Sequence, residues 1–192
     1  MKAARHWYDY LWITSALYLA LGVFNILFAW LGLICFIAPL LIAVFKGDKA
    51  YCGKYCGRGK LFNLIGGKFG LSRNVKPPKF LSSNWFRCGF LAFFMTMFGM
   101  MIYTTYLVST GAPLREAVTL LWTFKLPWHH TNTSMVSPAA AQFAFGFYGV
   151  MLTSTVLGLI TMILFKPRSW CVYCPMGTMT QAICKIKSRD KS

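Results

Sequence analysis

Two short segments of this chain concentrate side chains able to do chemistry. Cys52 and Cys56 stand four positions apart, and Cys171 and Cys174 three. Together they supply four thiolates, enough for an iron–sulfur cluster or a tetrahedral zinc ion, and Cys171 with Cys174 would also suit thiol–disulfide exchange. The remaining cysteines are Cys35, Cys88 and Cys184, making seven in all. An odd count argues against a purely disulfide framework. Carboxylates are scarce: Asp9, Asp48, Glu116 and Asp190 are the full set. Acid–base catalysis by paired carboxylates is therefore nearly excluded.

The surroundings of the two pairs suit an anionic centre. Lys54, Arg58, Lys60, Arg168 and Lys185 lie close in sequence and would offset negative charge. Pro175 follows Cys174 and precedes an apolar helical stretch from Met176 to Ile186. Proline is pre-organised for the first position of a helix, and a helix N-terminus favours an anion. The other cysteines fit less well. Cys35 falls eleven residues before Lys46, about 16 Å into a membrane helix, where a thiol usually packs as a small hydrophobe. Cys184 follows Cys174 by ten residues, about 15 Å along a helix. Cys88 is the reserve ligand.

Composition dictates what must carry these loops. Of 192 residues, 57% are hydrophobic and 12% charged, about half the charged share of a soluble domain. The formal charge is +16. A nucleic-acid binder would explain that charge but not the hydrophobicity, so no nucleic-acid partner is expected. An integral membrane protein explains both. The 36 residues from Tyr10 to Phe45 contain no charge; as one helix they would reach about 54 Å, far beyond a hydrocarbon core of about 30 Å. They read as two spans joined by a turn near Gly22 to Asn25. Further spans are expected from about Cys88 to Ser109 and Ala139 to Phe165. The long apolar run after Lys2 and Arg5 exceeds a signal-peptide core.

The basic residues agree with four spans. In that arrangement Lys2, Arg5, the segment from Lys46 to Arg87 and the tail from Lys166 share one side, with 18 of the 20 Lys and Arg. Only Arg115 and Lys125 remain opposite. The positive-inside rule then makes both termini and both Cys-loops cytoplasmic, in the cell (inner) membrane.

The chain also repeats itself. Each Cys-loop leaves a span through Phe-Lys (Phe45-Lys46 and Phe165-Lys166) and places an aromatic residue, Tyr51 or Trp170, before its first cysteine. Tyr55 and Tyr173 precede the second cysteine, and Gly59 and Gly177 follow it by three. The expected fold is an all-α integral membrane protein of four transmembrane helices, arranged as two helix-hairpin repeats, each followed by a cytoplasmic Cys-loop. The whole chain, 1–192, forms one membrane domain: repeat 1 over about 6–66, a basic connector over 67–87, and repeat 2 over about 88–187.

The segments from Tyr51 to Phe62 and from Arg168 to Gly177 resemble the paired Cys-x3-Cys-Pro-x-Gly loops of polyferredoxin-type membrane iron–sulfur proteins. This family includes the nitrous-oxide-reductase regulatory protein, the quinol-oxidising subunit of periplasmic nitrate reductase and the cytochrome oxidase accessory iron–sulfur protein. Here Gly57 stands where the family commonly has proline, the second loop is one residue shorter, and the soluble ferredoxin tail is lacking. The resemblance implies that Cys52, Cys56, Cys171 and Cys174 ligate an iron–sulfur cluster and leaves its type open; [4Fe–4S] is expected in preference to [2Fe–2S].

The expected role is thus an electron-transfer component of a membrane oxidoreductase complex rather than a stand-alone enzyme. It would pass electrons between a cytoplasmic carrier and a membrane quinone, flavin or partner cluster. Expected partners are the lipid bilayer, other subunits, and a ferredoxin, flavodoxin or flavin-bearing protein drawn to the basic face. The alternatives are a zinc- or cluster-stapled assembly factor and a thiol oxidoreductase using Cys171 and Cys174. Elsewhere, His129 and His130 read as a solvated loop on the opposite side, and Trp7, Tyr8, Tyr10 and Trp12 as an interfacial aromatic belt. The Phe- and Met-rich stretch from Phe90 to Met101 reads as lipid-facing and packing surface, and Gly66 to Arg87 as backbone on anionic headgroups.

Overall fold

Asn25 ends the first helix. Its backbone is extended (φ −147°, ψ 118°), and its side-chain oxygen accepts the Leu27 N–H, capping a 3-10 turn over Ile26–Leu31. The helix breaks there, within the segment Gly22 to Asn25 where a turn is expected. The computed structural model describes residues 10–46, 51–115, 117–121, 124–127 and 136–189. Among them are the helices α1 (Leu11–Phe24), α2 (Gly32–Lys46), α3 (Gly57–Asn63), α4 (Asn84–Ser109), α5 (Pro138–Leu164) and α6 (Pro175–Arg189). His129, His130, Trp7, Tyr8, Lys2, Arg5 and all four carboxylate residues lie outside the described residues.

Three helical stretches are long and apolar enough to cross a membrane: Ile26–Phe45, Asn84–Ser109 and Pro138–Leu164, with mean hydropathies of 2.6, 1.6 and 1.9. α1 is shorter, at 14 residues, about 21 Å against a core of about 30 Å. α4 and α5 coincide with the expected third and fourth spans, α4 starting four residues earlier at Asn84.

The expectation of a purely helical chain needs one correction. Strands β1 (Ala117–Leu120) and β2 (Phe124–Pro127) pair antiparallel, with Val118 opposite Leu126 and Thr119 opposite Lys125. The physical reason is local: Ala117-Val118-Thr119-Leu120 is a short run with two β-branched residues, which pack well on a pleated surface. Val118 is fully buried, and the Leu121 N–H at the turn donates to Thr153 Oγ1 of α5 at 3.3 Å.

The chain divides into two compact units. The second comprises Tyr18–Ile34 and Ala92–Val156. Ile26, Ala29, Val118, Ala144, Phe145 and Tyr148 form its core. The Tyr148 hydroxyl donates to the Leu19 carbonyl at 3.0 Å, so its one polar atom is satisfied inside that core.

The first unit takes the described residues of Met1–Leu17, Cys35–Leu91 and Leu157–Ser192, and holds all seven cysteines. Its helix ends are closed by neighbours. Ser72 Oγ donates to the Phe165 carbonyl and the Arg73 N–H to Ile163 O at 3.1 Å, satisfying carbonyls that the end of α5 leaves open. Part of the connector expected on headgroups is therefore tied to a helix end. Lys187 of α6 does the same for α2, its Nζ reaching Val44 O at 2.5 Å and Phe45 O at 2.9 Å. A cation at a helix C-terminus also complements the helix dipole. Arg87 Nη2 donates to Gln181 Oε1 at 2.5 Å, linking α4 to α6.

Candidate metal centre

The two Cys-loops share one local design. In the first, Cys52 lies in a π-helical turn, Tyr51–Tyr55, and Cys56 is the residue before α3. Cys56 is extended (φ −70°, ψ 103°), and its Sγ accepts the Gly59 N–H at 3.4 Å as a helix N-cap. In the second, Cys171 lies in a 3-10 turn, Ser169–Val172, and Cys174 is the residue before α6. Pro175 opens that helix, and the Thr178 N–H donates to Cys174 O at 2.9 Å. Each first cysteine thus sits in a tight turn and each second cysteine at a helix start. The helix expected over Met176 to Ile186 lies inside α6.

These loops converge. A Cβ built on Gly59 would lie 3.6 Å from Cys56 Sγ and 3.8 Å from Cys171 Sγ, so one sulfur from each loop faces the same space. Cys52 Sγ lies 3.8 Å from Thr180 Oγ1, on the helix that Cys174 begins. Charge interactions connect the set further. Cys174 acts on Cys56, while Cys56, Cys174 and Cys52 all act on Cys171. The structure therefore brings Cys56 and Cys171 to one space, with Cys52 and Cys174 acting on them electrostatically.

The first loop reaches this position because α3 turns back among the other helices. Gly57 lies so close to α1 that a Cβ there would meet Leu11 O at 2.5 Å and Ser15 Oγ at 2.6 Å. Phe62 is fully buried, and a Cβ on Gly158 of α5 would fall 2.5 Å from its ring. Proline, common in similar loops, has no N–H to lose at a helix start, yet its ring would occupy the space that Gly57 leaves to α1.

Burial pushes the Cys56 thiol up to about 11, with the Gly59 N–H and Arg58 pulling down and Cys174 and Cys35 pushing up. Burial likewise pushes Cys171 up to about 12, assisted by Cys56, Cys174 and Cys52 and opposed by Arg168. Cys171 nonetheless has an exposed edge, so Cys56 is the more enclosed of the two. The Cys56 and Cys171 thiols resist ionisation mainly because burial disfavours a thiolate, and the neighbouring sulfurs add repulsion. A cation shared among them removes that penalty, and metal ligation draws the protons off. Arg58 and Arg168 are the basic residues from the expected set that act on these sulfurs.

The influence of Cys35 on Cys56 was not readable from spacing. Its position along α2 reads as a packing residue remote from the loops, whereas it acts on Cys56. Cys88 is exposed on α4 and is not among the thiols acting on Cys56 or Cys171. Cys184 lies on α6, ten residues beyond Cys174.

An aromatic wall backs the second loop. Trp170 and Tyr173, the residues preceding Cys171 and Cys174, are buried with ring centroids 5.0 Å apart. Phe90 meets them at 5.7 and 5.0 Å, and Phe86 meets Tyr173 at 5.5 Å. Thr161 Oγ1 donates to Leu157 O at 2.5 Å, so the Tyr173 hydroxyl, 3.0 Å away, donates to Thr161. Phe90 is packing surface, as its position in the Phe-rich stretch suggests; the tyrosine's role depends on a contact between distant elements.

Four cysteine thiolates are the donor type of an iron–sulfur cluster. Among the described residues, no three His, Cys, Asp or Glu side chains form a group suited to one metal ion. A four-iron cluster takes one thiolate per iron and so spreads its ligands more widely than a single ion does. The space over Gly59 is bordered by one sulfur from each loop.

Two segments of the chain, residues 28–76 and 147–191, match a family model described as a 4Fe-4S binding domain. The first match contains Cys52 and Cys56, the second Cys171 and Cys174. No curated protein and no solved structure matches the chain. The family match supports an iron–sulfur protein with an electron-transfer role, and an iron–sulfur cluster with [4Fe–4S] favoured.

Proposed function

We propose that this chain is an electron-transfer subunit of a membrane oxidoreductase complex, in which Cys52, Cys56, Cys171 and Cys174 hold one [4Fe–4S] cluster. The observation that carries this reading is the approach of Cys56 and Cys171 to one space over Gly59. Both family-matched segments contribute one cysteine pair each. When bound, the cluster supplies one-electron redox chemistry. The chain's own residues hold it and set its surroundings: Arg58 and Arg168 offset negative charge, and Trp170, Tyr173 and Phe90 keep one side dry. Thr180 stands beside Cys52, its hydroxyl proton given to the Gly177 carbonyl at 3.1 Å.

In this reading α1 joins the three longer helices as a fourth span, and the clustered basic residues put both termini and the centre toward the cytoplasm. The electron donor or acceptor on that side is an acidic carrier such as a ferredoxin or flavodoxin, steered by the basic surface. Within the membrane the counterpart is a quinone, a flavin or a partner cluster. A centre near one face does not span about 30 Å of hydrocarbon alone, so the complex supplies another cofactor.

Potentiometric titration of native membranes, followed by electron paramagnetic resonance, tests the proposal. One-electron reduction should produce a cluster signal that Cys52→Ser and Cys174→Ser both abolish. A colourless protein carrying stoichiometric zinc would favour the assembly-factor reading. A metal-free protein whose activity needs only Cys171 and Cys174 would favour thiol exchange.

A further inference from the structure

Within the second unit, α4, β1 and α5 line a cavity of about 440 Å³, in the size range of small-molecule sites. Its body is apolar, formed by Met97, Met100, Met101 and Val150. Its polar end holds Arg115 and Gln142. Gln142 is only 6% exposed, and its Oε1 accepts the Arg115 backbone N–H at 3.0 Å. That bond consumes the acceptor and leaves the amide N–H groups without a partner among the described residues. The amide lines the cavity, so its N–H groups can donate to a bound group. The Arg115 guanidinium also has no partner among the described residues.

The polar end therefore offers donors: a cation at the rim and a buried amide deeper in. The Thr96 and Thr104 hydroxyls donate to Ala92 O and Met101 O, both at 2.9 Å. A fitting ligand has a charged, acceptor-rich head, further acceptors just below it, and an apolar body. Gln142 sits near the start of α5, and Val150 follows eight residues later, about 12 Å along the helix. Polar groups thus give way to apolar ones along the direction of the spans.

We propose that this cavity binds one anionic phospholipid. Its phosphate pairs with Arg115, a glycerol-ester carbonyl accepts from the Gln142 amide, and one acyl chain lies along the methionines. Methionine side chains are flexible and polarizable, which suits a chain of variable shape. The site is independent of the iron–sulfur assignment and requires only that these helices lie in a bilayer.

The test uses the intact, cluster-loaded protein in mild detergent, washed and examined by native mass spectrometry, then titrated with phosphatidylglycerol, phosphatidylcholine and a short-chain quinone. One phosphatidylglycerol per chain should remain bound and should resist exchange by the other two. Arg115→Gln should weaken its binding about tenfold or more, the loss expected for one charge-assisted hydrogen bond. Gln142→Glu keeps an acceptor for the Arg115 N–H but replaces the amide donors by oxygen, and should weaken binding as well. Unchanged iron content in both variants shows that they fold. Equal retention of the zwitterionic lipid, preferential binding of the quinone, or undiminished affinity in both variants would overturn the proposal.

Discussion

Cys56 and Cys171 come from different loops, yet their sulfur atoms border the same space, 3.6 and 3.8 Å from the point a Cβ on Gly59 would occupy. A methyl at Gly59 would sit at ordinary contact distance from both sulfurs, so Gly59→Ala should fold. Gly59→Val should fold as well but crowd that space. Iron content should fall moderately in the first variant and several-fold in the second, while helical circular dichroism stays unchanged.

Ligand identity is testable residue by residue. Serine at Cys52, Cys56, Cys171 or Cys174 should remove most of the iron and labile sulfide. Cys88→Ser and Cys184→Ser should retain wild-type content. Cys35 influences Cys56 without being assigned as a ligand, so Cys35→Ser should keep the cluster and change its electronic signal slightly.

The cluster-free chain should show sluggish thiols. Cys56 lies near 11 and Cys171 near 12, against an ordinary value of 9.0. Both are neutral at pH 8, and their alkylation should be slower than that of an unfolded cysteine and accelerate with pH. The sign of the stability effect follows. Below pH 9 both states keep these thiols protonated and the native contribution is intact; from about pH 9 toward 11–12 the unfolded chain ionises first, and apoprotein stability falls. Mass-resolved alkylation and denaturation across that window check both effects.

Tyr173 and Thr161 form a single tether between the second Cys-loop and α5. Tyr173→Phe and Thr161→Val should each cost about 1 kcal/mol, the usual net worth of such a bond. Because both remove the same interaction, the double variant should cost less than the two losses added together. Denaturation midpoints of the four proteins measure the coupling.

Much of the centre was legible in the sequence because ligation and helix starts are local. Two close cysteine pairs and Pro175 after Cys174 carry their meaning within a few residues. So does the charge-free run from Tyr10 to Phe45, with Asn25 placed to break it. Other features depend on how distant elements meet. Nothing in the spacing of Cys35 shows that it acts on Cys56. Tyr173 looks like any interfacial aromatic until Thr161 is seen opposite its hydroxyl. The β1–β2 hairpin is short, its pairing is local but weak in sequence, and its burial of Val118 comes from a tertiary contact. The length of α1 illustrates the same limit: hydropathy marked a charge-free run, whereas the Asn25 cap decides how that run is divided.

The most direct measurement is the iron and acid-labile sulfide content of anaerobically purified wild-type protein beside Cys52→Ser and Cys174→Ser. The account requires about four iron and four sulfide per wild-type chain, brown colour, and loss of both elements in either variant. Zinc without sulfide, or full iron and sulfide retained in both variants, would contradict it.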